Sequence, residues 1–157
     1  MDAQRAVGMV RHRAAALGLN ASRIGFIGFS AGGSVTAHIA TNNTRRAYPA
    51  VDAADSVSCR PDFVMMVYPA YLVNGTSDEL MAEQVTSAHP PAFLAQTEDD
   101  AIHCENSIFY YLALKRAGAP PSELHVYPDR NHKAQHGYGR GPGRTARQGV
   151  PSRLHFV

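Results

Sequence analysis

The sequence predicts an α/β domain built on a mainly parallel sheet of about four strands flanked by helices. Three observations carry this. Short apolar runs recur at 24–29, 63–68, 92–96 and 123–127, the first three without polar alternation, as strands buried on both faces read. Helical patterns or long crossovers separate these runs, in place of tight hairpin turns. The length of 157 residues, with 45% hydrophobic and 18% charged residues, suits one globular domain. A chain of that size buries roughly 70% of its unfolded-state surface.

Each element has a local reason. Ala3, Ala6, Val7, Val10, Ala14 and Leu17 fall at helical spacing, which predicts a helix over 3–17 with Gly18 as its C-cap. Ile24–Phe29 is the first strand. Residues 32–42 form a helix with small residues near its start. Phe63–Tyr68 is a strand stopped by Pro69, and Ala92–Gln96 one opened by Pro90 and Pro91. Asn106–Ala117 is a helix, with Ile108, Tyr111, Leu112 and Lys115 on neighbouring turns and Gly118 closing it. Glu123–Tyr127, which alternates less cleanly, is a strand ended by Pro128. The stretches 43–62 and 71–89 are irregular, the second with a short helix expected over 79–85. Such loops are lids, substrate walls or plain surface excursions.

Composition excludes several functions. The net charge is +2, which is not the footprint of a nucleic-acid binder. No run of about 18 apolar residues reads as a membrane span, and the first residues lack the apolar stretch of a signal peptide. The only cysteines, Cys59 and Cys104, are expected to be free thiols. Neither H-E-x-x-H nor C-x-x-C occurs, and no G-x-G-x-x-G follows a strand, so no metal and no cofactor is expected. Residues 140–157 form a Gly/Pro-rich tail with Arg140, Arg144, Arg147 and Arg153 and no acid, expected to be disordered. The domain proper is expected to occupy residues 1–139.

The chemistry centres on Gly28-Phe29-Ser30-Ala31-Gly32, a G-x-S-x-G motif directly after a buried strand and directly before a helix. The serine of such a turn takes a strained backbone, so its neighbours must be small, and Gly28 and Gly32 are expected to leave room across the turn. The helix start behind it offers unpaired N–H groups, which makes the Ala31 N–H the candidate oxyanion donor. A serine nucleophile needs a base, and the base an orienting acid. Glu98-Asp99-Asp100 follows the third strand. His132 and His136 follow the fourth, where catalytic groups gather in open α/β sheets. Phe29, Tyr68 and Tyr71 are candidate pocket residues on the same argument of place. The other histidines lack that place, His12 lying on an exposed helix face and His125 within a strand.

These residues resemble the α/β-hydrolase superfamily, and more narrowly the bacterial acetyl-xylan esterase-like carbohydrate esterases. The resemblance rests on RIGFIGFSAGG (23–33), SCRPDFVMMVYPAYL (58–72), PPAFLAQTEDD (90–100) with ENSIFYYLALKRAGAP (105–120), and ELHVYP…HGYG (123–139). It implies Ser30 as nucleophile and Asp100, the second residue of D-D-x-(V/I), as the orienting acid. The histidine stays open between two positions. Counting from the strand favours His132, and matching Gly137-Tyr138-Gly139 favours His136, the longer match. The resemblance covers the later part of the fold, beginning at the helix before the nucleophile strand. The H-G-G or G-G-G loop that supplies a second oxyanion N–H is not in this chain.

The function implied is a serine ester hydrolase working through an acyl-enzyme on short acyl esters, such as acetyl groups on carbohydrates. A small-molecule or polysaccharide ester would be the partner, and neither nucleic acid nor membrane is expected. An oligopeptidase-type hydrolase and a non-catalytic fragment are the alternatives. An open edge on the first strand would invite self-association.

Overall fold

A computed structural model describes residues 2–75, 77–81 and 85–128. The elements follow in the order α1 (Asp2–His12), β1 (Gly25–Phe29), α2 (Ala31–Thr41), β2 (Phe63–Val67), β3 (Ala92–Thr97), α3 (Glu105–Arg116) and β4 (Glu123–Tyr127), with a 3₁₀ turn at Ala53–Asp55. The four strands form one parallel sheet in sequential order β1-β2-β3-β4. The predicted strands and fold class are therefore present. Because all strands run the same way, residues 30, 68–71 and 98–100 all lie beyond the carboxyl end of the sheet.

The helices α2 and α3 pack on one sheet face. Ala37 and Ala40 of α2, Val64 and Met66 of β2, Leu94 of β3, and Tyr110 and Leu114 of α3 form a single buried cluster, with Phe26 and Leu124 against it. Alternation along the strands puts the next residues on the opposite face. There Ile27 is 49% exposed and Phe29 47%, and Phe63 and Tyr127 are also exposed. His125 lies on this face too, its ring stacked between Phe93 and Tyr127. Among the described residues β1 pairs only with β2, so it is an edge strand.

Three expectations need correction. The helix α1 ends at His12 and the chain continues through turns to Gly18. Gly18 closes these turns and not α1 itself: its φ is 66°, and the Leu19 N–H reaches back to the Ala14 carbonyl at 2.8 Å. Leu17 sits at helical spacing but is exposed, so no burial rewards extending the helix to it. Around 79–85, Leu80 makes an antiparallel bridge to Val73 where a helix was expected, and residues 82–84 lie outside the described ones. On α3 the deeply buried residues are Asn106, Ser107, Tyr110 and Leu114, not the stripe of Ile108, Tyr111 and Leu112. Two of the four are polar, which hides the stripe from an apolar pattern.

The loop before β2 is tied to α1 by charge. The Arg5 guanidinium bonds Asp52 at 2.5 Å and Asp55 at 2.8 Å, while Arg46 reaches Asp55 at 3.0 Å. Cys59 and Cys104 are free.

Candidate active site

The chain turns from β1 into α2 at Ser30, whose φ is 53° and ψ −125°. A serine in that region stores strain of about 1–3 kcal/mol, which must be held by its surroundings. Three backbone bonds do this. The Ser30 N–H donates to the Val67 carbonyl at 3.3 Å, and the Ser30 carbonyl accepts from Gly33 and from Ala70, both at 2.9 Å. The neighbouring strand β2, the loop after it and the start of α2 thus support the turn.

Two glycines make the turn possible, and they are not the two expected. A Cβ on Gly28 would fall inside the Gly32 carbonyl and the Thr36 hydroxyl, and a Cβ on Gly33 inside Pro69. A Cβ on Gly32 would meet nothing within 4 Å. The site needs the Gly32 backbone close to Gly28 and leaves open the space where a side chain at 32 would go. Ala31 is the first residue of α2, so its N–H has no intrahelical acceptor and lies next to the serine.

Beyond β2 the chain carries two more residues in the left-handed region, Tyr68 with φ 40° and Tyr71 with φ 60°. The Tyr68 N–H donates to the Ala95 carbonyl at 2.7 Å. Its ring is buried and lies 6.0 Å from the Phe29 ring, centroid to centroid. Burial, with the Asp100 charge adding to it, raises the Tyr68 phenol above its ordinary pKa, so it stays a neutral hydroxyl. Tyr71 behaves in the opposite way: its side chain is 63% exposed.

Beyond β3, Asp100 is buried, and its Oδ1 accepts from the Ile102 N–H at 2.8 Å. Glu98 and Asp99 are exposed. Of the three adjacent acids, the one named from the motif is the one taken inside. Ser30, Ala31, Phe29, Tyr68, Tyr71 and Asp100 thus all gather at the carboxyl end of neighbouring strands. His132 and His136 lie outside the described residues.

A buried polar group behind the acid escaped the sequence reading. The Gln96 amide donates to the Ile102 carbonyl at 2.6 Å and accepts from the Ser107 hydroxyl at 2.9 Å. Next to Ser107, Asn106 accepts from the Leu72 N–H at 2.8 Å and donates to the His103 carbonyl at 2.9 Å. The only local signal was an Asn-Ser pair just ahead of the apolar run 108–114 of α3. Two hollows lie away from this end. One is lined by Arg5, Met9, His12 and Arg13, the other by Phe63, Met65, Pro91, Phe93 and Pro121. No group of three or more His, Cys, Asp or Glu side chains suited to a metal ion occurs among the described residues.

A strained serine between a strand and a helix, with an acid two strands away, is the arrangement of α/β hydrolases. The prolyl oligopeptidase family model matches residues 6–156. The chain belongs to the prolyl oligopeptidase family. Among solved structures, it superposes on an acetyl ester-xyloside bifunctional hydrolase from Caldicellulosiruptor lactoaceticus with a TM-score of 0.73 and 32% identity. That match covers 86% of this chain and 57% of the other. MGS-M1, an α/β hydrolase enzyme from a deep-sea metagenome library, matches with a TM-score of 0.66 and 26% identity, over 83% of this chain and 48% of that one. An endo-1,4-beta-xylanase B of Butyrivibrio fibrisolvens is 29% identical over 151 residues, which cover 83% of this chain and 24% of the xylanase. This member of the prolyl oligopeptidase family therefore spans about half the length of the structures it matches, and a quarter of the xylanase. No helix among its described residues is long and apolar enough to cross a membrane.

Proposed function

We propose that this chain carries the nucleophile-to-histidine part of a serine ester hydrolase, with Ser30 as nucleophile and Asp100 as orienting acid. The observation that carries the reading is the Ser30 backbone, held at φ 53° by bonds from the start of α2, the end of β2 and the loop after β2. Strain at a polar residue above a strand end is kept where the hydroxyl must be presented. In this reading the Ser30 Oγ attacks the ester carbonyl and its proton passes to the histidine, His136 or His132. The alcohol leaves with that proton, and the acyl group stays on Oγ. Water then adds to the acyl carbon and gives its proton to the same histidine. The acid departs, and Oγ is reprotonated. The Ala31 N–H donates to the oxyanion in both steps, and Asp100 holds the imidazole in the right tautomer.

The substrate we propose is a short acyl ester of a carbohydrate. Its support is the name of the structural relative that acts on acetyl esters and xylosides, together with the xylanase match. The family's own name favours a second reading, cleavage of peptide amides. Tyr71 and Phe29 would wall the pocket in either case.

The test is intact-mass labelling with a fluorophosphonate, set beside Ser30→Ala, His132→Ala and His136→Ala. One adduct is expected, lost in Ser30→Ala and in one histidine variant. A folded chain that takes no label would overturn the reading in favour of a non-catalytic domain. Release of acetate from acetylated xylan, without cleavage of a proline-containing peptide, separates ester from peptide chemistry.

A further inference from the structure

The loop that bears Tyr71 and the loop that bears Asp100 are held by one side chain. Asn106 is buried at the start of α3. Its Oδ1 accepts from the Leu72 N–H at 2.8 Å and the Val73 N–H at 3.3 Å, and its Nδ2 donates to the His103 carbonyl at 2.9 Å. The amide can face only this way, because a flip would set its donors against two backbone N–H groups. On the Tyr71 side, Leu72 is fully buried and the Ala70 N–H is bonded to the Ser30 carbonyl, so the strained tyrosine is clamped in front and behind. On the acid side, the Ile102 N–H binds Asp100 while Gln96 holds the Ile102 carbonyl and Ser107 holds Gln96.

We propose that Asn106 is a positioning residue that couples these two loops, setting the Tyr71 substrate wall and the Asp100 orienting acid in one frame. This rests on the proposed esterase reading for its effect on rate, though the coupling itself does not. A merely packed Asn106 would hold each loop independently. A coupling Asn106 loses different things when different halves of its amide are removed. Asn106→Asp keeps the acceptor for Leu72 and Val73 and loses the donor to His103. Asn106→Leu loses both.

Hydrogen exchange on the 157-residue chain tests the coupling without reference to activity. Asn106→Leu is expected to speed exchange at Leu72, Val73 and Ile102 together. Asn106→Asp, the milder variant if the first does not fold, is expected to speed Ile102 and spare Leu72 and Val73. Ile102 exchange at the parent rate in the folded variants overturns the proposal. Ester turnover, normalised to the fraction of Ser30 that takes a fluorophosphonate, reads the consequence. Asn106→Asp should lower kcat on the order of tenfold at constant KM, and Asn106→Leu should also raise KM. Per-site kcat and KM unchanged in both variants would overturn the positioning role. A parent chain that takes no label would instead sink the esterase reading, with exchange still deciding the coupling.

Discussion

Pro69 occupies the space that any side chain on residue 33 would need: a Cβ built on Gly33 falls 2.7 Å from the Pro69 Cα. Because the neighbouring Ala70 N–H supports the Ser30 carbonyl, this contact joins the second strand's loop to the nucleophile turn. Gly33→Ala should therefore cost about 1–3 kcal/mol in urea unfolding and slow labelling of Ser30. Gly32→Ala is the control. Its Cβ meets nothing, and alanine in a helix gains up to about 1 kcal/mol over glycine, so stability should hold or rise. Equal losses in the two variants would show that the turn needs both glycines small.

Tyr71 is strained and exposed at once. Tyr71→Gly and Tyr71→Ala both remove the ring, but only glycine fits the left-handed backbone without penalty. The glycine variant should be the more stable of the two by about 1 kcal/mol, read by urea midpoint. Both should lose ester kcat/KM against the parent. Stability that ranks alanine above glycine would mean the backbone at 71 relaxes once the ring is gone.

His89 introduces a pH dependence. It is buried, with Nδ1 2.6 Å from the Pro90 carbonyl and Nε2 3.0 Å from the Tyr110 hydroxyl. Burial lowers its pKa from 6.5 to about 4, the Pro90 carbonyl opposing and the Arg60 charge assisting. A lowered histidine is neutral in the fold and takes up its proton on unfolding. Its contribution is complete above 6.5, falls with pH through the window from 6.5 to about 4, and is lost below it. Stability should drop by about 2 kcal/mol between pH 7 and pH 5, and His89→Phe should flatten that drop. The carboxylate of Asp52, lowered by its Arg5 hydrogen bond, loses its contribution only below its ordinary value of 3.8, outside the window. A slope unaltered in His89→Phe would assign the dependence elsewhere.

The edge of β1 and the face bearing Ile27, Phe29 and Phe63 together present an unpaired, apolar strand among the described residues. Such an edge pairs with another chain unless charge or cover prevents it. Sedimentation velocity should show association that grows with concentration, reduced by Ile27→Lys. A monomer across the whole range would contradict this.

Much of the frame was legible in the residues themselves. The strands stand out as short apolar runs between helical patterns, but the burial expected on both faces holds on one: Ile27 and Phe29 of β1 and Phe63 of β2 are exposed on the other. The serine turn was legible because its sterics are local: the Gly32 carbonyl that Gly28 must leave room for is four residues on, across the turn that bears Ser30. The end of α1 was not, because Leu17 has the right spacing and no partner to bury it. The role of Gly33 was missed for a similar reason, since the atom it must avoid is 36 positions away at Pro69.

What the sequence determined by itself was the α/β order of elements, the place of Ser30 between strand and helix, and a group of three acids after the third strand, among which only the family resemblance pointed to Asp100. Tertiary structure alone decided which polar residues go inside. Asn106, Gln96, Ser107 and His89 are buried because each finds hydrogen-bond partners there. For Asn106 that partner, Leu72, is 34 residues away in the chain. A polar side chain is excluded from a core unless it is paired, and a partner that distant becomes a neighbour only when the strands have assembled. The left-handed backbones of Tyr68 and Tyr71 have the same origin, since the bonds that hold them come from β3, α3 and the Ser30 turn.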